Sequence, residues 1–198
     1  MTSDKTVEQV ITEPAKCTYT SCYCEENIWK LCALIQEECH ESELSKCYSV
    51  FISNKSKKIP LWHQKASKAE DRLIVWDYHV IMLYVDAGRT LVYDLDTELG
   101  FPCTLKDYNS ACLGDERNFD DKFKRMFRVI PAPEFLTTFA SDRSHMLNDR
   151  KEWLSPPPNY PQITCPGSSN NIDEFISMDI SSKHGEVYHL HEFLNKFL

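Results

Sequence analysis

The stretch LIVWDYHVIMLYV, which runs from Leu73 to Val85, constrains the fold more than any other part of the sequence. It is almost continuously apolar and rich in β-branched and aromatic residues, a composition typical of a β-strand covered on both faces. A strand with one face in water would alternate apolar and polar residues instead. The stretch therefore predicts the central strand of a buried sheet.

Two ionisable residues interrupt this predicted strand. Because side chains alternate across a strand, Asp77 and His79 would share one face, which is otherwise mainly apolar. Trp76 and Tyr78 would lie on the opposite face. A charged or polar group in an apolar surface costs free energy unless it finds a partner. We therefore expect His79 to be held by a hydrogen-bonding group on a neighbouring strand.

The residues after this strand predict a hairpin that supplies the partner. Suppose that Ala87 and Gly88 form a two-residue loop. His79 then lies directly opposite Asp96 and diagonal to Asp94. Opposed residues have Cβ atoms about 5 Å apart and diagonal ones about 7–8 Å, so either carboxylate could orient the imidazole. The ideal register slightly favours Asp96, and a register shift of two residues would favour the other aspartate.

A helix is predicted to begin near Cys24, in the segment SCYCEENIWKL. Ser21 is a suitable N-cap, which places Cys24 in the first turn. An apolar stripe then follows at helical spacing, made of Ile28, Leu31, Leu34 and Ile35. Backbone N–H groups and the helix dipole favour a thiolate at this end, and an imidazolium favours it further. We therefore expect the pKa of the Cys24 thiol to be lowered.

Together these features indicate a thiol enzyme. A cysteine at a helix start, a histidine on a strand and an aspartate on the next strand are the parts of a nucleophile–base–carboxylate triad. The alternative is that Cys24 is an inert, buried apolar group and that His79 is satisfied by a structural hydrogen bond. The pattern by itself favours the two interpretations about equally.

A zinc site at the cysteines of this region is a competing interpretation. Cys17, Cys22 and Cys24 have the spacing C-x4-C-x-C, which departs from the usual spacers of zinc ligands. We therefore expect no metal.

A serine hydrolase set is a second competitor. Asp142, Ser144 and His145 occur together in SDRSH, but they are too close in sequence to need a shared catalytic geometry. Asp142 and Arg143 are expected instead to form a structural ion pair or to line the pocket.

Composition limits the class of partner. The formal net charge of −8 and the lack of a long Lys/Arg cluster argue against nucleic acid and anionic lipid. The apolar runs are shorter than the roughly 20 residues of a membrane helix, and the first residues lack the features of a signal peptide. The nine cysteines suggest no disulfide framework, so we expect reduced thiols, mostly buried. A soluble protein of the cytoplasm, with the nucleus as a further location, is expected.

The chain is predicted to consist of a mobile N-terminal tail or surface arm, residues 1–16, and a single catalytic domain, residues 17–198. CYSVFIS predicts a strand over 47–53, FKRMFRVI a strand near 123–130, and PEFLTTFASDR a short helix. The proline-rich SPPPNYP predicts a surface loop, because proline donates no backbone hydrogen bond. The C-terminal part is expected to form a short strand near VYHL and a helix at HEFLNKFL.

Five strings carry a family resemblance over nearly the whole chain: SCYCEENIWKL, WDYHV, YDLDT, FASDRSHM and EFISMD. Their order and their residues closely resemble the protein N-terminal glutamine amidohydrolase family of the eukaryotic N-degron pathway, for which WDYHV is the characteristic pattern. Differences lie in the N-terminal segment and in loops such as SACLGDERNF, and none removes a residue of the triad.

The resemblance implies a catalytic triad of Cys24, His79 and Asp94, which selects Asp94 over Asp96. It implies an α+β fold, a three-layer α-β-α sandwich with a mainly antiparallel central sheet, and an active site like that of transglutaminases and papain-like enzymes. The implied reaction converts an N-terminal glutamine of a protein or peptide to glutamate and releases ammonia, without a cofactor. The implied protein is a monomer.

Selectivity for a chain terminus requires a group that binds the α-ammonium. Asp77 and Glu25 are the candidates for this role, and Trp76 and Tyr78 are further candidates for substrate binding. Two other functions remain open at this stage. One is a papain-like protease or a transglutaminase, which would use the same triad. The other is a non-catalytic module that binds N-terminal residues.

Overall fold

Short strands form the framework of the chain. In the computed structural model, which describes residues 4–198, they are Cys47–Ser53 (β1), Ile59–Leu61 (β2), Ile74–Trp76 (β3), His79–Asp86 (β4), Arg89–Tyr93 (β5), Cys103–Thr104 (β6), Met126–Pro131 (β7) and Glu186–His189 (β8). One six-stranded antiparallel sheet has the order β6-β5-β4-β1-β7-β8, and β2 pairs with β3 separately. The prediction of an α+β fold with a mainly antiparallel sheet is confirmed.

Helices connect these strands. The α-helices are Val7–Val10 (α1), Cys24–Glu38 (α2), Leu105–Tyr108 (α3), Ala132–Thr138 (α4), Ile172–Ile176 (α5) and Leu190–Phe197 (α6). Single turns of 3-10 helix lie at Pro14–Lys16, Leu44–Lys46, Asp121–Phe123 and Ser144–Met146, and a π-helical turn lies at Asn109–Leu113. Across residues 4–198, no helix has the length and apolar character that crossing a membrane requires.

The side chains of β4 alternate between two apolar cores. Val80 and Met82 pack on one face of the sheet with the apolar stripe of α2 and with residues of α4 and α5. Ile81 and Leu83 pack on the other face with residues of α3 and α6. Both faces of β4 are therefore buried, which explains the continuous apolar sequence and confirms the predicted central strand over this part.

The predicted strand is nevertheless broken at Asp77. Its first half is β3, which belongs to the separate two-stranded sheet, and its second half is β4. The Asp77 carboxylate accepts a hydrogen bond from the N–H of Tyr78, and its carbonyl oxygen accepts one from the hydroxyl of Ser53. Because the break interrupts the alternation, Trp76 stacks on the ring of His79, although the two were expected on opposite faces.

The hairpin between β4 and β5 has the predicted two-residue loop. Ala87 and Gly88 both have positive φ, 48° and 77°, as the tight turns that suit twisted hairpins require. Val85 pairs with Thr90, and the ladder continues to the pair of Met82 with Tyr93. The predicted register is therefore confirmed as far as Tyr93, where the strand ends.

The helix α2 begins later than predicted. Tyr23, and not Ser21, is the residue before the first helical residue, and its side chain makes no capping hydrogen bond. The side chain of Asn27 instead bonds both the N–H and the carbonyl oxygen of Thr20, which fixes the chain that enters the helix. Cys24 is thus the first residue of α2. The predicted apolar stripe is buried, except for Leu34, which is partly exposed.

The N-terminal segment differs from the expected tail. Val7 in α1 and Ile11 after it are fully buried in the same core as α2. The N–H of Val7 donates to the carboxylate of Glu43, at 3.0 Å. Residues 1–3 of the predicted tail lie outside the described residues. The part from residue 4 onward contains a helix and contributes to the core.

The later elements follow the sequence prediction in kind. The strand expected near 123–130 is β7, and the helix expected after it is α4. The proline-rich segment contains no regular structure, and the C-terminal strand and helix are β8 and α6. All nine cysteines are free, as expected, but only four are buried; four are partly exposed, and Cys22 is exposed.

Candidate active site

A cavity of about 370 Å³ brings most of the predicted site residues together. Cys24 at the start of α2 and His79 at the start of β4 both line it. Its other walls include Trp76, Asp77, Tyr78, Asp96, His145 and Met146. Residues from the start of α2, from the strand break and from two later loops therefore meet at one place.

His79 is held by Asp94. The Nε2 atom of His79 lies 3.0 Å from Oδ1 of Asp94, and both side chains are almost completely buried. Since a carboxylate can only accept, Nε2–H donates and Nδ1 is left as the basic nitrogen of the neutral ring. Burial alone would lower the pKa of His79, but the charge and hydrogen bond of Asp94 raise it above its ordinary value.

Asp94 is itself fixed by two further donors. The hydroxyl of Tyr108 donates to Oδ2 at 2.9 Å, and the N–H of Asp96 donates to Oδ1 at 2.9 Å. Burial works to raise the pKa of Asp94, but His79 and these donors lower it on balance. The carboxylate therefore stays ionised and holds the imidazole in one orientation.

The imidazole of His79 bonds Asp94 and not Asp96. This is so even though the hairpin has the register that was expected to favour Asp96. The ladder ends at Tyr93, so the chain leaves the strand before Asp96 can lie opposite His79. Asp94 reaches the imidazole by the diagonal route, with no shift of register. Asp96 accepts instead from the hydroxyl of Tyr19, at 2.6 Å, and its pKa is raised, first by burial.

The thiol of Cys24 differs from expectation. Its pKa lies well above the ordinary value because of burial, the Glu25 carboxylate and Asp96, while a hydrogen bond with the backbone of Val80 works the other way. Burial and negative neighbours thus outweigh the helix start, which the sequence argument considered alone. The resting group is a thiol. The contact with Val80 places its sulfur beside the residue that follows His79.

A second cluster of ionisable groups, centred on Glu25, also adjoins the thiol. Glu25 is completely buried; one of its oxygens, Oε2, lies 3.7 Å from the Cys24 sulfur and accepts from the Tyr78 hydroxyl at 2.9 Å. Its other oxygen, Oε1, has no hydrogen-bond partner in the described part of the chain, and Nε2 of His145 lies 3.5 Å away. A buried carboxylate with an open acceptor therefore adjoins the nucleophile position.

The sequence did not predict that His145 lies next to Glu25. His145 was a candidate only for the serine hydrolase set with Asp142 and Ser144. Burial would lower its pKa, but the Glu25 carboxylate, 3.5 Å away, raises it on balance. The rival set is not assembled. Asp142 accepts from the N–H of Ser144, while His145 faces Glu25 and Tyr78.

Arg143 forms a buried ion pair with Glu26, not with Asp142 as one expectation had it. Its Nε and Nη2 atoms donate to the two Glu26 oxygens at 2.8 and 2.9 Å. The same guanidinium donates to the carbonyl oxygens of Pro158, Tyr160 and Pro161. The first turn of α2 is thereby joined to the proline-rich loop. Glu26 could not be matched to this partner from the sequence because 117 residues separate the two.

Trp76 and Asp77 occupy different positions around the base. The indole of Trp76 stacks on the His79 ring, with centroids 5.6 Å apart and planes at 19°, and its Nε1–H donates to Gln64. Asp77 is exposed at the cavity wall, and its carboxylate accepts from the next N–H. Trp76 therefore supports the base from one side.

Metal ligation fits this site less well than a hydrogen-bonded relay. His79, Asp94 and Asp96 have ligand atoms within 4.8 Å of one another, and they form the one such group found among residues 4–198. Both oxygens of Asp94 already accept hydrogen bonds, from His79, the N–H of Asp96 and Tyr108, and Asp96 accepts one from Tyr19. Within the same residues, the three N-terminal cysteines of the zinc interpretation form no such group.

Comparison with known proteins gives a consistent result. Residues 19–197 match the model of the N-terminal glutamine amidase family. A zebrafish (Danio rerio) protein N-terminal glutamine amidohydrolase is 47% identical over 183 residues, covering 92% of this chain and 90% of the relative. The Homo sapiens protein of the same name is 47% identical over 182 residues, covering 91% and 88%, and the Drosophila mojavensis protein is 44% identical over 184 residues, covering 92% and 89%. This chain belongs to the N-terminal glutamine amidase family.

Proposed function

We propose that this chain hydrolyses the side-chain amide of an N-terminal glutamine in proteins and peptides, giving glutamate and ammonia. The observation that carries the proposal is the buried hydrogen bond between His79 and Asp94, in a cavity that the Cys24 thiol also lines. The similar proteins named above are protein N-terminal glutamine amidohydrolases. No cofactor is required for this chemistry.

The first half of the reaction makes a thioester. Nδ1 of His79 takes the proton of the Cys24 thiol, and the thiolate attacks the carbon of the glutamine carboxamide. The negative charge that develops on the oxygen is stabilised by N–H groups in the first turn of α2, which have no partner within the helix. His79 then returns a proton to the nitrogen, and ammonia leaves.

The second half releases the product. His79 takes a proton from a water molecule, and the resulting hydroxide attacks the thioester carbon. The bond to sulfur breaks, Cys24 regains its proton from His79, and the glutamate side chain is free. Asp94 supports the imidazolium in both halves, since its ionised carboxylate faces Nε2.

Glu25 is proposed to bind the α-ammonium of the substrate. It is a buried carboxylate whose Oε1 lacks a hydrogen-bond partner in the described chain, so an arriving ammonium would satisfy it. Asp77, the other candidate, is exposed and its carboxylate already accepts from the N–H of Tyr78, which suits the cavity wall better than an anchor. Tyr78 orients Glu25 through its hydroxyl, and Trp76 supports the base.

The layer arrangement of the fold and its likeness to other thiol enzymes are part of the same proposal. Helices pack against both faces of the main sheet, which supports a three-layer α-β-α sandwich. A cysteine at a helix start with a histidine and an aspartate from neighbouring strands supports a likeness to papain-like enzymes and transglutaminases. Residues 17–198 are proposed to act as one catalytic unit. A monomeric protein of the cytoplasm and nucleus, which supplies N-terminal glutamate to the N-degron pathway, stays a prediction.

The test compares ammonia release from four peptides of otherwise identical sequence. They carry a free N-terminal Gln, an acetylated Gln, a free N-terminal Asn or an internal Gln. The first should react with a mass gain of about 1 Da, the difference between an amide and a carboxylate. Asparagine is one methylene shorter. With its ammonium anchored, its carbonyl carbon therefore falls short of the position of the glutamine carbon by more than about 1 Å, a misplacement that can cost about a hundredfold in rate.

The acetylated and internal glutamines should fail because they carry no ammonium for Glu25. Equal rates for free and acetylated Gln would overturn recognition of the terminal amine and indicate a general glutaminase or a transglutaminase. Cleavage of the peptide chain would indicate a protease. Binding without ammonia release would indicate a non-catalytic module for N-terminal residues.

A further inference from the structure

A second cavity adjoins the active-site cavity. It measures about 720 Å³, within the range of about 300–1,000 Å³ usual for ligand sites. The two cavities share three lining residues, Lys57, Asp173 and Ile176. The two cavities therefore adjoin, and the exposed side chains of Lys57 and Asp173, whose charged atoms lie 4.0 Å apart, mark their common border.

Apolar atoms form most of the exposed lining of the second cavity, and Met126, Ile176 and Met178 contribute to it. Polar and charged side chains, among them Lys55, Asp179 and His189, also line it. Ile180 stands at its edge with 82% of its surface exposed, the largest value among the exposed large apolar side chains of the described chain. An isoleucine in water gains free energy when an apolar group covers it. The mechanism described above uses none of these side chains.

We propose that this second cavity binds the residues that follow the N-terminal glutamine, and that it favours apolar side chains at the third and fourth positions. The inference rests on the proposed function. A substrate with its first side chain at Cys24 must continue as a chain, and an extended chain advances about 3.3–3.6 Å per residue. The second residue then lies over the border at Lys57 and Asp173, and the next two reach the second cavity, over Ile180 and Met178.

The experiment measures kcat and KM for ammonia release from three amidated peptides. Gln-Gly ends at the boundary between the cavities, Gln-Gly-Leu-Val-Gly fills the second cavity, and Gln-Gly-Asn-Asp-Gly reaches it with polar groups. Wild-type protein should show a KM for the leucine peptide about tenfold lower than for the other two, the order expected for one buried apolar side chain. The kcat values should be alike, because the reacting atoms are the same.

The variant Ile180→Asp removes the apolar edge without touching the active-site cavity, which Ile180 does not line. Its KM for the leucine peptide should rise about tenfold, while its constants for Gln-Gly stay unchanged. Val75→Asp is the matched control, since Val75 is 50% exposed and lines neither cavity. This control should behave as wild type with all three peptides.

A KM for the leucine peptide that is the same in wild type and Ile180→Asp would overturn the inference. So would an equal rise for Gln-Gly, which would place the effect in the active-site cavity. Ammonia from Gln-Gly with no preference among the longer peptides would reject the second cavity and leave the proposed function intact. No ammonia from any peptide would overturn the proposed function, and this inference with it.

Discussion

At the scale of single residues, the site depends on how each ionisable group is surrounded. The thiol of Cys24 has a raised pKa, and the imidazole of His79 also has a raised pKa. A cysteine of this kind does not rest as a thiolate, so its reactivity depends on proton transfer to Nδ1 of His79 when substrate is bound. The carboxylate of Asp94 makes that transfer favourable.

Replacing Cys24 should abolish turnover without unfolding the protein. In Cys24→Ala and Cys24→Ser the covalent nucleophile is missing, so ammonia release from a Gln-initiated peptide should fall to background. Cys22→Ser is the control, because Cys22 lines the same cavity but is not the first residue of α2. It should keep most of the activity. Equal losses at both positions in folded protein would point to a paired role for the two thiols.

Asp94→Asn should reduce kcat by roughly 10³–10⁴-fold, because the amide supports neither the tautomer nor the imidazolium. The remaining activity should also respond to pH differently. His79 acts as a base when neutral, so activity is lost as pH falls below its raised pKa. Without the Asp94 charge, burial dominates and lowers that pKa, so the acidic limb of the kcat profile should move to lower pH.

Asp96→Asn is the matched control, since Asp96 bonds Tyr19 and not the imidazole. It should lose much less activity and should keep the acidic limb nearer its wild-type position. A larger loss in Asp96→Asn than in Asp94→Asn, with both proteins folded, would mean that Asp96 is the functional partner of His79.

At the scale of elements, the site lies where regular structure stops. His79 follows the strand break, Asp94 follows the last paired residue of β5, and Cys24 begins α2. Apolar content and turn residues predicted the hairpin, its register and the helix well, because these depend on local sequence. The break at Asp77 was not predicted, because the hydroxyl of Ser53 that binds its carbonyl comes from another strand.

The partners of the α2 carboxylates were also beyond local reasoning. Glu25 and Glu26 are not part of the predicted apolar stripe, yet both are fully buried. Their partners His145 and Arg143 come from a loop more than a hundred residues later, and 117 residues separate Glu26 from Arg143. Helical periodicity places a residue on a face of its own helix, but it does not say what covers that face.

The ion pair of Arg143 with Glu26 should be a strong determinant of stability. The two side chains are 6% and 0% exposed, so Arg143→Met leaves a buried carboxylate without its counter-charge. We expect the free energy of unfolding to fall by about 3–5 kcal/mol, measured by urea denaturation. Adding Glu26→Gln to this variant should restore part of the loss.

The control is Arg117→Met, which removes the exposed pair of Arg117 with Asp115. Exposed pairs contribute roughly 0–1 kcal/mol, so this variant should be nearly as stable as wild type. If the two arginine variants lost equal stability, the buried pair would have no special role.

At the scale of the whole molecule, the N-terminal segment packs into the core that α2 forms with the main sheet. Besides the buried Val7 and Ile11, Glu8 pairs with Arg89 at the start of β5, with the charged atoms 2.5 Å apart. The N-terminal segment thus contacts both the core around α2 and the β4–β5 hairpin, which Asp94 directly follows. Composition could not reveal this, because the three apolar residues with helical spacing, Val7, Val10 and Ile11, make a pattern too short to predict a buried helix.

Ile11→Ala should lower the free energy of unfolding by about 2–5 kcal/mol, since it leaves a cavity in a closely packed core. Ile11 does not line the active-site cavity, so kcat/KM at a temperature where the variant is folded should remain that of wild type. Glu13→Ala changes an exposed residue of the same segment and should alter stability by less than about 0.5 kcal/mol. An Ile11→Ala protein as stable as wild type would show that the segment is dispensable.

The stacking of Trp76 on His79 has an optical consequence. The excited state of an indole is strongly polar, so its emission responds to a charge that arrives or leaves within a few ångströms. With the ring centroids 5.6 Å apart, the protonation of His79 occurs within that range. The chain has only four tryptophans, and a Trp76→Phe protein would show which part of the emission comes from this one. The proposed catalytic base therefore lies against a fluorophore, and a change in its protonation should be measurable as a change in the emission of Trp76.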